Sequence, residues 1–571
     1  MGSIRESSNV ATADGGRLSS QSHSQGYTVQ REARRIFIDV LMQDKALGFG
    51  PELQDYSTYI DFDSAATKAP VLPGPMKMTE TSTALWAMLC TVSNMICHQR
   101  YALKQRVTIN ADVATLFLIS TALVRVNGKT LQDPELVQRY MKYDTGNSRE
   151  PYRRLATNIY PTKDGRWFHL HGSMDASPTL TMLGLPLNQP NLDESAAIGV
   201  FCDAVKHWDS TEIDHLADSK YKQAGTICLE PEEFRLSEQG KAIANDGLYV
   251  LERTSSLSTA ALGWPQNTSS GHKRPLEGIK MLDLSRVIAA PTIAKLAALF
   301  GATVIRISCA TNPDMGPLLI DGNLGKRDVT LDLKSEAGKA ALRDLIQDCD
   351  VFLDGYRPGA MEKLGFGPDA VCQIAEAAKG KGIVYVRENC YGWKGPMAHR
   401  SGWQQVSDCV TGVSWLQGRF LGLDEPVVPL IPNSDYQTGI IGLIGIMSAL
   451  LQREKAPGSF LLSVALNYYN MFLLDQGELP ASVQEDLKKG HKDLKLRHYD
   501  DMTRLVGKTV GSLMKVSPQF FRPEYFRNIP ARLGVDNEVV TFLGPPAQFE
   551  QTSLQYDVGP SFLGYDKPQW P

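Results

Sequence analysis

The stretch IKMLDLSRVIAAPTIAKLAALFGATVIRIS, residues 279–308, carries the pattern that decides the fold class. The apolar run IKMLDLS predicts a buried strand, the small-residue segment APTIAKLAALFGA predicts a helix, and TVIRIS predicts a second buried strand. Further strands are predicted in DVFLD, residues 350–354, and in GIVYVREN, residues 382–389, with a helical segment, EAGKAALRDLIQDC, before them. Apolar strands that alternate with helices are typical of parallel sheets, so we predict an α/β fold with a doubly wound, Rossmann-like sheet.

The turn after the first predicted strand argues against one common ligand of such sheets. It reads SRVIAAP and lacks the G-x-G-x-x-G pattern, whose glycines let the backbone approach a dinucleotide pyrophosphate. NAD is therefore disfavoured as a cofactor.

Composition excludes several other classes of function. The net charge of −4 gives no general attraction to nucleic acid or to anionic membranes. The nine cysteines include no C-x-x-C pattern, so neither a disulfide scaffold nor a zinc site is indicated. His169 and His171 alternate on a predicted strand, but without a third ligand nearby they are interpreted as strand-face residues, and no metal is expected. With no long apolar run and a polar N-terminus, a cytoplasmic protein is the expectation.

Two polar stretches divide the chain. Residues 1–26 are rich in Ser, Gln and Gly and are predicted to be a disordered tail. The turn-rich stretch SSLSTAALGWPQNTSSGHKRPLEG, residues 255–278, is predicted to be a linker. It separates a first half from a second half, residues 279–571. The first half is divided into a helical segment, residues 27–154, and a smaller domain, residues 155–254.

One acidic residue begins the glycine-stepped apolar segment IPNSDYQTGIIGLIGIM, residues 431–447. Ser434 and Gln437 match the S-x-x-Q capping box, which predicts Ser434 as the N-cap of a helix and Asp435 in its first turn. Backbone N–H groups and the helix dipole favour an ionised carboxylate there, and such a group is a candidate for covalent acyl chemistry. The alternative is that Asp435 is an ordinary helix-stabilising acid.

The glycines of this segment recur every third residue. Gly439, Gly442 and Gly445 would lie along one side of a helix, where each costs about 1 kcal/mol relative to alanine. They predict close approach of either a ligand or a neighbouring helix, and helix packing is the simpler cause.

The first half contains a similar segment. TETSTALWAMLCTVSNMICHQR, residues 79–100, parallels SDYQTGIIGLIGIMSALLQR, residues 434–453, with Glu80 where the second copy has Asp435. Chance similarity between two apolar helices is the alternative to an internal repeat.

Several blocks together resemble the class III CoA-transferase (CaiB/BaiF) family. They are GIKMLDLSRVIAAPTIAKLAALFGATVIRI, GKRDVTLDLKSEAGKAALRDLIQDCDVFLDGYRPGAMEKLGFG, YGWKGPMAHRSGW and SDYQTG, in this order. The resemblance covers nearly all of residues 279–475 and resumes near the end, in VVTFLGPPAQFEQTSLQYDVGPSFLG. In the first half, residues 79 to about 250 resemble the region after the family's catalytic acid, including its small domain.

The resemblance implies a function and a set of site residues. The family's nucleophile falls on Asp435, which would take CoA from an acyl-CoA as an aspartyl-CoA thioester and pass it to a small carboxylic acid. CoA would be a substrate, and no tightly bound cofactor is expected. By the same resemblance, CoA contacts are expected at Arg286, Leu331, Lys334, Arg357 and Gly439.

The sequence also departs from the family pattern. Cys309 stands where transferases often have an arginine, Gly355 replaces an asparagine, Gly402 a lysine and Ile288 a glutamine. Trp403 stands where the racemases of the family have a histidine, and an indole cannot shuttle a proton, so racemisation is disfavoured. Three readings remain: a CoA-transferase, a repurposed isomerase, lyase or cyclase without CoA exchange, and a non-catalytic scaffold.

The resemblance also leads to an architectural prediction. Family members form interlocked dimers, but here the second half has too few residues for its own small domain. We therefore predict that residues 155–250 close the cleft near Asp435 and that the two halves form an interlocked pseudo-dimer, as a monomer or within a homodimer. One working site is expected, because the first half lacks a nucleotide fold before Glu80.

Overall fold

The computed structural model of the protein describes residues 26–254, 261–265, 273–380 and 382–571. The predicted disordered tail, residues 1–26, lies outside the described residues apart from Gly26. The predicted linker, residues 255–278, is described only at residues 261–265 and 273–278.

The described residues form strands and helices in the following order along the chain. The strands are β1 Ile60–Phe62, β2 Val107–Ile109, β3 Arg125–Val126, β4 Lys129–Thr130, β5 Ile159–Pro161, β6 Trp167–Leu170, β7 Gly225–Ile227, β8 Val250–Arg253, β9 Lys280–Leu284, β10 Thr303–Ser308, β11 Lys326–Thr330, β12 Val351–Asp354, β13 Val384–Asn389, β14 Phe460–Ala465, β15 Phe526–Pro530, β16 Val539–Leu543 and β17 Ala547–Phe549. The α-helices are α1 Val29–Arg35, α2 Leu53–Ser57, α3 Met78–Tyr101, α4 Ala111–Phe117, α5 Ser120–Leu123, α6 Pro134–Met141, α7 Pro151–Arg154, α8 Ser177–Met182, α9 Glu194–Val205, α10 Ser210–Leu216, α11 Pro231–Leu236, α12 Glu238–Ile243, α13 Ala289–Leu299, α14 Gly316–Gly322, α15 Glu336–Ile346, α16 Ala360–Leu364, α17 Pro368–Lys379, α18 Gln404–Val410, α19 Val413–Phe420, α20 Asn433–Lys455, α21 Leu466–Asp475, α22 Ala481–Gly490 and α23 Met502–Val516.

The largest sheet has the strand order β11-β10-β9-β12-β13-β14-β8. Its strands are parallel except for β8, which pairs antiparallel with β14. Alternate residues of β9 enter two cores: Met281 packs with α13 and α20 on one face, and Leu282 packs with α15 and α17 on the other. The predicted α/β class with a largely parallel sheet is confirmed.

Three of the four sheets that the described residues form take strands from both sides of residues 255–278. In the largest sheet, β8 of the first half is the edge strand beside β14. The C-terminal strand β16 pairs with β3, and β17 pairs with β2. The two halves are therefore joined by backbone hydrogen bonds and share sheets.

The long helix α20 lies at the centre of the molecule, where it packs against α3, α13 and β14. Its glycines allow this packing. A Cβ on Gly442 would lie 2.4 Å from Ile293 Cδ1, and one on Gly445 would lie 2.7 Å from Leu462 Cδ1. Close packing against neighbouring elements is thus the reason for the glycine repeat. In the part of the chain that is described, no helix combines the length and hydropathy needed to cross a membrane.

Gly439→Ala is expected to lower the free energy of unfolding by about 1–3 kcal/mol through overpacking. A Cβ there would lie 2.4 Å from Thr292 Cγ2 and 2.6 Å from Thr292 Cβ, and the Cβ cannot move without its helix. Alanine's better helix propensity offsets only about 1 kcal/mol. The control is Gly511→Ala in α23, where an added Cβ meets nothing within 4 Å and stability should rise. Urea denaturation measures both; a Gly439→Ala protein as stable as the control would contradict the described packing.

Candidate active site

A cavity of about 400 Å³ opens at the carboxyl ends of β9, β12 and β13. The strand order reverses between β9 and β12, since β10 and β11 extend the sheet to one side and β13 and β14 to the other. Such a reversal leaves a crevice at the carboxyl edge of a parallel sheet, where ligands bind. The opposite wall comes from the first half and includes Ser173, Met174, Asp175, Pro178 and Gln223.

Asp435 lies on the wall of this cavity, in the first turn of α20, with 9% of its surface exposed. The helix starts at Asn433 and has no side-chain cap, so the predicted capping box of Ser434 and Gln437 is wrong. The Gln437 amide instead donates hydrogen bonds to Asn433 Oδ1 and to the backbone oxygen of Met78, both at 3.2 Å. It thereby ties the start of α20 to the start of α3.

The Asp435 carboxyl receives no hydrogen bond or salt bridge from the residues that the structure describes. Burial raises its pKa well above the usual range, and the nearby acids Glu388 and Asp408 raise it further. The expectation that the helix start holds Asp435 ionised is therefore wrong for the protein alone, in which these effects favour the neutral acid. A ligand or a partner acid has to help Asp435 ionise before it can act as a nucleophile.

Of the three acids Asp435, Glu388 and Asp408, only Asp408 accepts side-chain hydrogen bonds from the described residues. It lies on α18 and accepts hydrogen bonds from the Gln404 amide and from Asn470 Nδ2, the latter at 2.9 Å. Burial nevertheless raises its pKa to about 7. These contacts hold α18 against α21 behind the cavity wall.

Two of the predicted CoA contacts, Arg286 and Arg357, line the cavity. Arg286 Nη1 donates to the backbone oxygen of Pro313 at 2.7 Å, and its guanidinium lies 5.5 Å from the Tyr356 ring centroid. Arg357 Nη1 donates to the backbone oxygen of Lys222 at 3.1 Å. Neither makes a salt bridge with a described residue, and burial together with Arg286 lowers the pKa of Arg357. The pair can accept an anionic ligand.

The other three predicted CoA contacts do not line the cavity, although Gly439 lies only one helical turn after Asp435 on α20. Leu331 is buried and Lys334 is exposed just beyond the carboxyl end of β11, the edge strand of the sheet. Gly439 faces Thr292 on α13. Helix packing accounts for this glycine, and a role of these three residues in CoA binding stays a prediction.

The structure gives a physical reason for two departures from the family pattern. A Cβ on Gly355 would lie 2.6 Å from Ala290 Cβ and 2.7 Å from Ser285 Cβ. A Cβ on Gly402 would lie 2.3 Å from Cys390 Cβ. The backbone passes too close to its neighbours at both positions for a side chain to fit.

Trp403 lines the cavity and stacks on His171, with ring centroids 4.7 Å apart and an interplanar angle of 11°. His171 in turn stacks on His169, and both histidines are buried on β6 or just after it. Burial lowers the pKa of His169 to about 3 and that of His171 well below its usual value, so both rings are neutral. Within the described ranges no group of three His, Cys, Asp or Glu residues is placed to hold a metal ion.

Glu388 is a cavity residue that the sequence reasoning missed. It is the penultimate residue of β13 and lines the same cavity as Asp435. The available signal was an acidic residue at the carboxyl end of an apolar strand, where ligand-contacting groups of parallel sheets lie.

Glu80, the counterpart of Asp435 in the first half, is 1% exposed and lies apart from this cavity. Its Oε1 accepts a hydrogen bond from the Tyr27 hydroxyl at 2.9 Å. Burial raises the pKa of Glu80 to about 7. Its environment is that of a structural buried acid.

Known proteins place the chain in a family. The model of CoA-transferase family III matches residues 276–475. The curated acetyl-coenzyme A transferase nodX of Hypoxylon pulicicidum is 38% identical over 562 residues, covering 95% of this chain and 94% of that protein. The chain belongs to CoA-transferase family III.

This family III member also has more distant relatives. Succinyl-CoA:glutarate CoA-transferase of Mus musculus is 31% identical over 205 residues, which cover 34% of this chain and 45% of that protein. The crystal structure of a CaiB/BaiF family protein from Brucella suis is 19% identical, covers 51% of this chain and 97% of that chain, and has a TM-score of 0.37. The predicted resemblance is confirmed, and the named relatives establish this family III member as an enzyme that transfers CoA.

Glu80→Gln is expected to leave the rate of CoA transfer within about twofold of wild type, since Glu80 lies outside the cavity. It should change stability with pH. A buried acid whose pKa rises from 4.5 to about 7 stabilises the fold at low pH and loses that effect as the pH rises through this interval. Relative to wild type, the variant should therefore gain up to ~3 kcal/mol between these pH values, measured by urea denaturation. Loss of turnover in a stably folded Glu80→Gln protein would show a second working site.

Proposed function

We propose that this enzyme moves CoA from an acyl-CoA to a small carboxylic acid through a covalent aspartyl-CoA thioester on Asp435. The observation that carries the proposal is a carboxyl that has no hydrogen-bond or salt-bridge partner among the described residues, on the wall of a cavity that also contains two arginines with no acidic partner in the same part of the chain. The relatives supply the substrate class, since one is named an acetyl-coenzyme A transferase and another a succinyl-CoA:glutarate CoA-transferase.

Once Asp435 is ionised, the exchange itself releases no further proton. The Asp435 carboxylate attacks the thioester carbonyl carbon, the C–S bond breaks, and CoA leaves as a thiolate from an acyl-aspartyl anhydride. The thiolate then attacks the Asp435 carbonyl carbon and releases the donor acid as a carboxylate. An acceptor carboxylate reverses these two steps and leaves with CoA. Each step exchanges one anion for another, so a buried nucleophile splits the exchange into simpler displacements.

The arginines and the acids divide the cavity into two electrostatic regions. Arg286 and Arg357 provide positive charge for the phosphates of CoA, whereas Asp435 lies near Glu388 and Asp408, two acids whose pKa values are also raised by burial. Binding of the CoA phosphates at the arginines would position the thioester carbon beside Asp435, so binding energy is used at the reacting centre.

The alternative of a repurposed isomerase, lyase or cyclase is not favoured by the relatives, which are named as CoA-transferases. Racemisation is further disfavoured by Trp403, whose indole lines the cavity and stacks on a neutral histidine.

We also propose that the chain is a fused pseudo-dimer built on a Rossmann-like, doubly wound sheet. Support comes from the strands shared between the halves and from contacts across the cavity. Arg400 on one wall donates to Asp214 of the first half at 2.7 and 3.0 Å, and Tyr391 OH donates to the backbone oxygen of Gly225 at 3.3 Å. The domain division into residues 27–154, 155–254 and 279–571 is proposed on the same grounds.

Asp435→Asn is expected to abolish the covalent CoA adduct and to lower kcat by about 10³-fold or more, because an amide is a very poor nucleophile. Asp435→Glu should fail as well, since its carboxyl is displaced by about 1 Å. Intact-protein mass spectrometry after incubation with acetyl-CoA or succinyl-CoA detects the adduct. Asp344→Asn on the exposed face of α15 is the control and should keep it. A full-size adduct on Asp435→Asn would rule out Asp435 as the nucleophile.

Arg357→Gln is expected to raise KM for acyl-CoA about tenfold with a smaller change in kcat, because it removes a charged contact made before and during the reaction. Arg343→Gln on α15, exposed and away from the cavity, is the control. Steady-state kinetics distinguish the two. If Arg357→Gln and the control had equal KM values, Arg357 would not bind CoA.

A further inference from the structure

We propose that Glu388 is a catalytic residue whose protonated carboxyl donates a hydrogen bond to the thioester carbonyl oxygen that Asp435 attacks. The proposal rests on the proposed function, since it requires Asp435 to act on an acyl-CoA. It assigns a role to an acid that the mechanism above leaves unused.

The backbone directs Glu388 to the reacting region. Glu388 lies in register with Val464 of β14, and Asn389 and Cys390, which follow it, line the cavity as well. Leu466, at the start of the helix after β14, also lines the cavity, as does Asp435 from α20. Glu388, at the carboxyl end of β13, and Asp435, at the start of α20, therefore line the same cavity.

The side chain of Glu388 is available for a ligand. Among the residues that the structure describes, none makes a hydrogen bond or salt bridge with its carboxyl. It is half-buried, so it is neither solvated like a surface acid nor enclosed like Glu80.

The charges around Glu388 favour its neutral form. Two acids interact with it through their charges, Asp354 at the end of β12 and Asp435 on α20, while its register partner on β14 is the apolar Val464. Arg400 on the cavity wall is paired with Asp214, while Arg286 and Arg357 are left for the ligand. Burial and Asp354 together raise the pKa of Glu388 to about 8.

Two acids that face each other share protons as a pair, and position decides which one holds the proton. Attack on the thioester requires Asp435 as a carboxylate, so in the state that reacts the proton of the pair lies on Glu388. Glu388 lies at the end of a strand and near Asp354, where a second negative charge is unfavourable. In the reactive state Asp435 is therefore the carboxylate and Glu388 the acid.

The step balances with the proton remaining on Glu388. As the Asp435 oxygen bonds to the thioester carbon, negative charge develops on the carbonyl oxygen, and the Glu388 hydroxyl donates to that oxygen. The carbonyl re-forms when the C–S bond breaks and the electron pair leaves on the CoA thiolate. Donors placed where charge develops in the transition state commonly contribute a rate factor of about 10²–10³.

The test measures the rate of adduct formation from acetyl-CoA and from succinyl-CoA between about pH 5.5 and about pH 9.5. Wild type should lose rate above about pH 8, as Glu388 ionises beside Asp435. Glu388→Gln keeps a neutral donor, so its rate at pH 7 should stay within about tenfold of wild type and the alkaline loss should disappear. Glu388→Ala removes the donor and should lower the rate by about 10²-fold at every pH.

Two further variants keep the test decisive. Glu252→Gln on β8, exposed in the same sheet, should keep the wild-type profile. Glu388→Asp keeps a titrating acid but shortens it, so it should be slower and retain the alkaline loss; this variant decides the question if Glu388→Gln does not fold.

The outcomes distinguish the two proposals. A wild-type enzyme that forms no adduct from either donor contradicts the proposed function and this role with it. Adduct formation in wild type with the same pH profile in Glu388→Gln, or with an undiminished rate in Glu388→Ala, overturns the role of Glu388 alone.

Discussion

The close packing of helix α20 against α13 and α3 is the constraint on which the site depends. Gly439 and Gly442 bring the backbone of α20 against Thr292 and Ile293, with no room for a Cβ. This contact fixes the start of α20 relative to the turn after β9, because α13 begins in that turn. The carboxyl of Asp435 is therefore held by backbone packing, and its oxygens, which accept no hydrogen bond from the described residues, are open to a substrate.

The same burial sets the electrostatic character of the site. Asp435, Glu388 and Asp408 approach one region from three elements, and each has a raised pKa, mainly through loss of solvent. A protonated acid in this position is a weak nucleophile until it ionises. In the proposed mechanism, reactivity is coupled to binding of CoA at Arg286 and Arg357, which would limit attack on other esters and thioesters.

The sequence predicted much of this arrangement, and the misses have physical causes. The periodicity of apolar residues predicted the sheet, and the acid at the start of the glycine-stepped segment predicted that Asp435 is a site residue. Both signals are local in the sequence. The capping box failed because Gln437 has a tertiary partner, the start of α3, that no local pattern reveals. Glu388 was missed as a cavity residue because the strand end that it shares with the cavity is a feature of topology. The replacement of the family's asparagine by Gly355 and of its lysine by Gly402 could not be explained without knowing which atoms lie beside these backbones.

Joining two halves in one chain has a consequence for their two acids. In a symmetric dimer each copy has to serve as both nucleophile and scaffold, since a single sequence occupies both positions. In this chain Glu80 and Asp435 begin two long buried helices that pack against each other, yet the first accepts a hydrogen bond from Tyr27 and the second faces a cavity. The first half thus uses its acid for packing and supplies Trp403 with its stacked histidine, while in the proposed function the second half keeps the chemistry. A packing acid in one half and a cavity acid in the other require two different sequences, and a fused chain can encode both.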